Sequence, residues 1–140
     1  MPPTCTPAAA ATRGTNYQDL WYAAPAESEA GWGINFTHQQ DIIFATWFTY
    51  APDGKPLWLV GSDVRRVPGT ERFTGKLYRT TGSAYKTLFN PAQFSIQEVG
   101  NMTLNFTGPA SGTFEYTYDG VTQTKNITRQ EFSAPPTVCH

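Results

Sequence analysis

The chain has 140 residues, of which 14% are aromatic and only 15% charged, and its net charge is −1. That is one domain's worth of chain, able to bury a core of its own and too aromatic for a disordered tail. Both signs of charge are scattered without a cationic stripe and no apolar run reaches transmembrane length, so neither nucleic acid nor a membrane is an expected partner.

Residues 1–16, "MPPTCTPAAAATRGTN", carry three prolines and a tetra-alanine run without periodicity and read as an extended N-terminal arm. A single β domain is expected over 17–132, followed by a C-terminal tail, 133–140. Ordered chain begins near Tyr17–Tyr22, and "AAPAESEAG" after it is a loop. Strand-like runs then follow, separated by turn signals at short, fairly regular spacing. The first is Gly31 to His38, with Trp32, Ile34 and Phe36 on one face. Asp41 to Tyr50 follows, and Pro52-Asp53-Gly54 supplies a turn with a proline pre-set for it and a glycine free to take positive φ. Pro56 to Asp63 and Arg72 to Arg79 are the next strands, and Thr80 to Pro91 is a long connection. In the second half, "FSIQEVGNMTLNF" places Phe94, Ile96, Met102, Leu104 and Phe106 at a spacing of two. "GTFEYTYDG" puts Phe114, Tyr116 and Tyr118 on one face, Asp119-Gly120 is a strong hairpin signal, and Val121 to Phe132 is the last strand.

No segment carries a sustained helical stripe. The expected fold is therefore all-β, about seven to eight antiparallel strands in meander order, with a small closed barrel preferred and a β-sandwich as the fallback.

One strand poses a problem. In "IIFATWFTY", Ile43, Ala45 and Trp47 point one way, while Ile42, Phe44, Phe48 and Tyr50 point the other, so both faces are apolar. Its neighbour repeats the feature, with Leu57 and Leu59 against Trp58 and Val60, and half of all the aromatics fall between Tyr17 and Trp58. Helices normally cover such strands on both sides, and none is available here. The arm with Tyr17–Tyr22, a second subunit, or a ligand could cover the outer face, since contiguous exposed apolar patches mark interaction sites.

The last strand is the opposite case. Val121, Gln123, Lys125, Ile127, Arg129 and Glu131 alternate with positions that are almost all Thr, Asn or Gln. It reads first as a sheet edge guarded by charge. In a closed barrel one of its faces would instead point inward, giving a polar lumen lined also by Tyr116 and Tyr118, suited to a small polar ligand.

Catalytic chemistry is poorly supported. No Gly-x-Ser-x-Gly elbow, dinucleotide loop or phosphate loop is present. His38, three residues before Asp41, reads as a solvated turn histidine rather than a metal ligand or base, and no cofactor or metal is expected. Cys5 and Cys139, the only two cysteines, sit at the two ends of the chain, where a disulfide would tie the arm to the tail. Closing so long a loop stabilises by roughly 4–5 kcal/mol in the chain-entropy treatment and implies a periplasmic or secreted location.

The run "GWGINFTHQQDIIFATWFTYAPDGKPLWLVGS", with "GKLYRTTG" and "GVTQTKNITRQEF" downstream, resembles a small β domain that recurs in exported proteobacterial proteins. The resemblance covers most of Asp19–Phe132. It implies export and a compact β fold, and it transfers no catalytic residue. The meander is also loosely similar to avidin-like and lipocalin-like barrels, without a recognisable biotin-site motif.

These readings converge on a non-catalytic extracytoplasmic binding module. Its aromatic-rich face would take a small organic, glycan or peptide ligand through Trp32, Trp47, Tyr50, Trp58, Tyr116 and Tyr118, because rings of this kind offer broad contact at small entropy cost. The alternative is an interaction or assembly module that packs on a sister copy or a parent protein.

Overall fold

The computed structural model describes residues 15–131. Short turns dictate the topology. Asp119-Gly120 adopts φ values of 52° and 74°, the backbone that a two-residue hairpin demands and that Asp-Gly adopts readily. Similar tight reversals at Gln40-Asp41 and at Pro109-Ala110 leave each strand beside its successor. The strands are β1 (Asp19–Ala23), β2 (Gly33–Gln39), β3 (Ile42–Tyr50), β4 (Pro56–Arg66), β5 (Arg72–Thr81), β6 (Ser95–Gly108), β7 (Ser111–Tyr118) and β8 (Val121–Arg129). A 3-10 turn, Pro91–Gln93, interrupts the connection before β6.

All neighbours are antiparallel, and the order is β1-β2-β3-β4-β5-β6-β7-β8 in a closed barrel. Among the described residues no Greek-key crossover occurs, and the long connection before β6 merely links adjacent strands. No helix among the described residues is long and apolar enough to cross a membrane.

The barrel closes where Trp21, Tyr22 and Ala23 pair with Arg129, Thr128 and Ile127. Tyr17–Tyr22 therefore does not fold across the outside of β3; it leads into and builds the closing strand. β8 is not a plain edge either, because it lies between β7 and β1 and turns its odd-numbered residues inward. β1 is short, however, so Val121–Lys125 pairs with β7 alone.

The interior is packed with side chains from every strand, including Trp21, Ile34, Phe36, Ile43, Trp47, Leu59, Phe73, Leu77, Leu104, Phe114 and Ile127. In β6 the alternation slips. Leu77 faces Gly100 but Tyr78 faces Glu98, so the extra residue at Val99 shifts the phase of the strand. Met102, Leu104 and Phe106 consequently point inward, whereas Phe94 and Ile96, expected on the same face, are exposed. The upper end of the barrel carries the β2–β3 hairpin and the β4–β5 loop. The lower end carries the β1–β2 loop (24–32), the β3–β4 hairpin and the β7–β8 turn.

Candidate functional site

Trp32, Trp47 and Tyr116 meet inside the lower end of the barrel. The Trp47 ring lies 4.3 Å from Tyr116, 5.2 Å from Phe114 and 6.4 Å from Trp32, centroid to centroid. Strand alternation delivers these rings to one place, since each stands on the inward face of β3, β7 or the entrance to β2. Tyr118 is half-buried at the rim, packed on the same cluster. The Tyr116 hydroxyl donates to Gln123 Oε1, and burial pushes its pKa upward. Lys125, also on the inward side of β8, donates to both carboxylate oxygens of Glu29 at 2.8 Å and lies 6.0 Å from the Trp32 ring. Trp47 Nε1 is buried and, among the described residues, has no hydrogen-bond partner.

Tyr50 and Trp58 are elsewhere, on the outer surface. Phe48 and Trp58 are directly opposite on β3 and β4, and Tyr50 is two residues further along the same face. The Tyr50 hydroxyl donates to Ala30 O at 2.9 Å across Gly31, whose φ of 85° needs glycine. Any Cβ at Gly31 would overlap that hydroxyl.

Two grooves flank this outer face. The lower one, ≈ 670 Å³, is walled by Leu20, Tyr22, Trp32 and Phe48 and edged by Glu27, Glu29 and Glu131. The upper one, ≈ 760 Å³, is lined by residues including Thr37, Asp41, Ile42, Phe44 and Arg65. From Ile42 to Phe48 the strand advances about 20 Å at the usual rise per residue. The rings thus form a track between two hollows.

The upper end of the barrel is stoppered by Tyr17, which stacks on Phe106 with centroids 3.6 Å apart and on His38 at 5.7 Å. Its hydroxyl donates to Glu71 Oε2 at 2.6 Å, and its carbonyl accepts from Trp21 Nε1 at 2.9 Å. Arg66 donates to the same Glu71 oxygen at 2.8 Å and to Asp41 at 2.9 Å, with its guanidinium 4.6 Å from the centre of the Phe73 ring. Burial alone would raise the Glu71 carboxyl, but the hydrogen bonds from Tyr17 and Arg66 outweigh it and hold the pKa below the usual value.

His38 is not the solvated turn residue expected. It is buried, Nδ1 accepts from the Tyr17 N–H at 3.0 Å, and Nε2 reaches Gln40 O at 2.6 Å. A ring nitrogen that accepts is unprotonated, so the proton of the neutral ring sits on Nε2. Both nitrogens are committed to backbone, which leaves His38 a structural clamp. Among the described residues, no three His, Cys, Asp or Glu gather where they could hold a metal ion.

The six predicted aromatic residues therefore divide into two sets. Trp32, Trp47, Tyr116 and Tyr118 belong to the lower interior, and Trp32 also walls the lower groove. Tyr50 and Trp58 flank that groove outside. Phe48, Tyr22 and Glu27 were missed as lining residues. The alternation of Leu20 and Tyr22 against Trp21 and Ala23 was the available signal for β1. Cys5 and Cys139, with the proposed bridge, lie outside the described residues. No known protein family, curated protein or solved structure matches the chain.

Proposed function

We propose that the protein is a non-catalytic binding module acting outside the cytoplasm, and that the outer face of β3 and β4 holds an extended organic ligand of glycan or peptide type. One observation carries this reading. Phe44 and Phe48 are each 43% exposed and Tyr50 and Trp58 each 50%, on adjacent strands, even with the 24–32 loop held against the Tyr50 hydroxyl. A soluble β-barrel gains nothing in its own stability from four half-exposed rings in one band, whereas a ligand lying between the two grooves would bury them. The terminal cysteines and the resemblance to exported domains support the extracytoplasmic location.

Tryptophan fluorescence titrated against a panel of oligosaccharides and extended peptides tests the reading. Trp58 stands on the surface while Trp21, Trp32 and Trp47 are buried, so a ligand on this face changes chiefly the Trp58 signal. Trp58→Ala is expected to weaken binding about tenfold, as for a central aromatic contact, while moving stability by no more than about 0.5 kcal/mol. Unaltered affinity in that variant would count against the site.

A second reading, packing on a sister copy, is favoured by the continuation of the apolar surface to Ile96. This residue is exposed on β6 opposite Thr80, one strand beyond Tyr78, which itself pairs with Val60. A molecular mass that rises with concentration in light scattering, and falls back in Trp58→Ala, would select it.

A further inference from the structure

The lower interior holds an arrangement that the outer face does not explain. Trp47 is only 3% exposed, and its indole N–H, a donor with no acceptor capacity, has no partner among the described residues. Buried polar groups are nearly always paired, so each exception calls for a cause. Beside it the Tyr116 hydroxyl is committed to Gln123 Oε1, while Lys125 offers an ammonium that already grips a carboxylate, that of Glu29, through both oxygens at 2.8 Å. Rings of Trp32, Phe114 and Tyr116 surround the Trp47 indole and offer apolar faces. An unpartnered N–H and an ammonium that already holds a carboxylate, beside flat apolar walls, suit a carboxylate carried on a flat or aliphatic body.

Access runs past Trp32. That side chain walls the lower groove and also contacts Trp47 and Phe114, so it is the partition between groove and interior. It sits at the end of the 24–32 loop, whose ties to the rest of the barrel include the Glu29–Lys125 pair and the Tyr50 hydroxyl on Ala30 O. The wall beside it is the stretch of β8 that pairs with β7 alone, so the loop can move without breaking a ladder.

We propose that the lower end of the barrel is a second binding site, for a small organic carboxylate that displaces Trp32 and takes the place of Glu29 on Lys125. The Glu29 carboxylate is then a built-in stand-in for the ligand's. One ligand oxygen remains on Lys125 and the other accepts from Trp47 Nε1–H, while the body stacks among Phe114 and Tyr116.

The test uses tryptophan-¹⁵N-labelled protein, with the Trp47 indole resonance assigned through Trp47→Phe and benzoate, hexanoate and benzylamine as probes. Benzoate or hexanoate is expected to shift the Trp47 N–H resonance saturably, and benzylamine to leave it in place. Glu29→Gln removes the internal competitor and is expected to tighten carboxylate binding about threefold or more, a gain that misfolding cannot imitate. Lys125→Met keeps the aliphatic stem and is expected to weaken it about tenfold or more. Trp58→Ala, on the outer face, should leave it unchanged, which separates this site from the outer one. The proposal is overturned if neither carboxylate moves the Trp47 resonance in wild type or Glu29→Gln, if benzylamine moves it equally, or if Lys125→Met binds as wild type does.

Discussion

Replacing Tyr17 by Phe removes one oxygen from the stopper at the upper end and leaves its stacking on Phe106 in place. The lost bond runs from the hydroxyl to Glu71, a charged acceptor at 2.6 Å, and bonds of that kind contribute about 1.5–3 kcal/mol. Glu71 keeps its contact with Arg66, so the variant leaves no unpaired charge and the lower part of that range is expected. A second magnitude comes from alkali. Burial, aided by the bond to Glu71 and its charge, pushes the Tyr17 pKa from 10.0 up to about 12. A group whose pKa rises on folding stabilises the fold fully below its unfolded value, and that contribution disappears as pH climbs through the folded one. The wild type should therefore lose about 2–3 kcal/mol between pH 10 and pH 12 through this residue. The other tyrosines titrate in both proteins, so the difference between wild type and Tyr17→Phe isolates it. Urea unfolding followed by tryptophan fluorescence at about pH 7, 10 and 12 gives both quantities from the transition midpoints. Equal midpoints at neutral pH, or a gap between the two proteins that stays constant into alkali, would refute the reasoning.

At the acid side His38 acts in the same stopper. Burial lowers its pKa, opposed by the bond to Gln40 O, so its contribution is present above the ordinary value of 6.5 and is lost as pH falls through the depressed folded value. Stability measured from pH 7 down to about 4.5 should decline, and His38→Gln, which takes no proton, should flatten that part of the decline; parallel curves would contradict the assignment. At Gly31, alanine should cost about 1–2 kcal/mol for the left-handed backbone plus the collision with the Tyr50 hydroxyl, and Tyr50→Phe should recover part of the loss in a double-mutant cycle. Strict additivity would contradict the contact. The Trp58→Ala titration completes the set.

Much of this architecture could be read from residue alternation. The two faces of β3 separated as Ile43, Ala45 and Trp47 against Ile42, Phe44, Phe48 and Tyr50, and the structure buries the first set and exposes the second, with Tyr50 half out. The Asp119-Gly120 turn and the inward face of β7 were equally legible, because both depend on neighbouring residues only. What was lost depends on distant partners. β1 is five residues long, and its role as the closing strand exists only through pairing with Ile127–Arg129 at the far end of the chain. The slip at Val99 leaves the even spacing of Ile96 and Met102 intact in sequence while placing them on opposite faces. His38 looked solvated because Tyr17, which buries it, lies 21 residues upstream. The aromatic residues read as one surface in sequence because both faces of β3 are apolar, whereas the barrel wall divides buried Trp47 from exposed Trp58.

The outer face is the centre of the functional account, and fluorine on the tryptophans interrogates it directly. With 5-fluorotryptophan at all four positions, one ¹⁹F signal, that of Trp58, should respond to solvent isotope at the outset. It should then shift saturably with an oligosaccharide or an extended peptide at a protein concentration where the mass stays that of a monomer. A Trp58 signal that ignores every such ligand, or that moves only on dilution of the protein itself, would contradict ligand binding on β3 and β4.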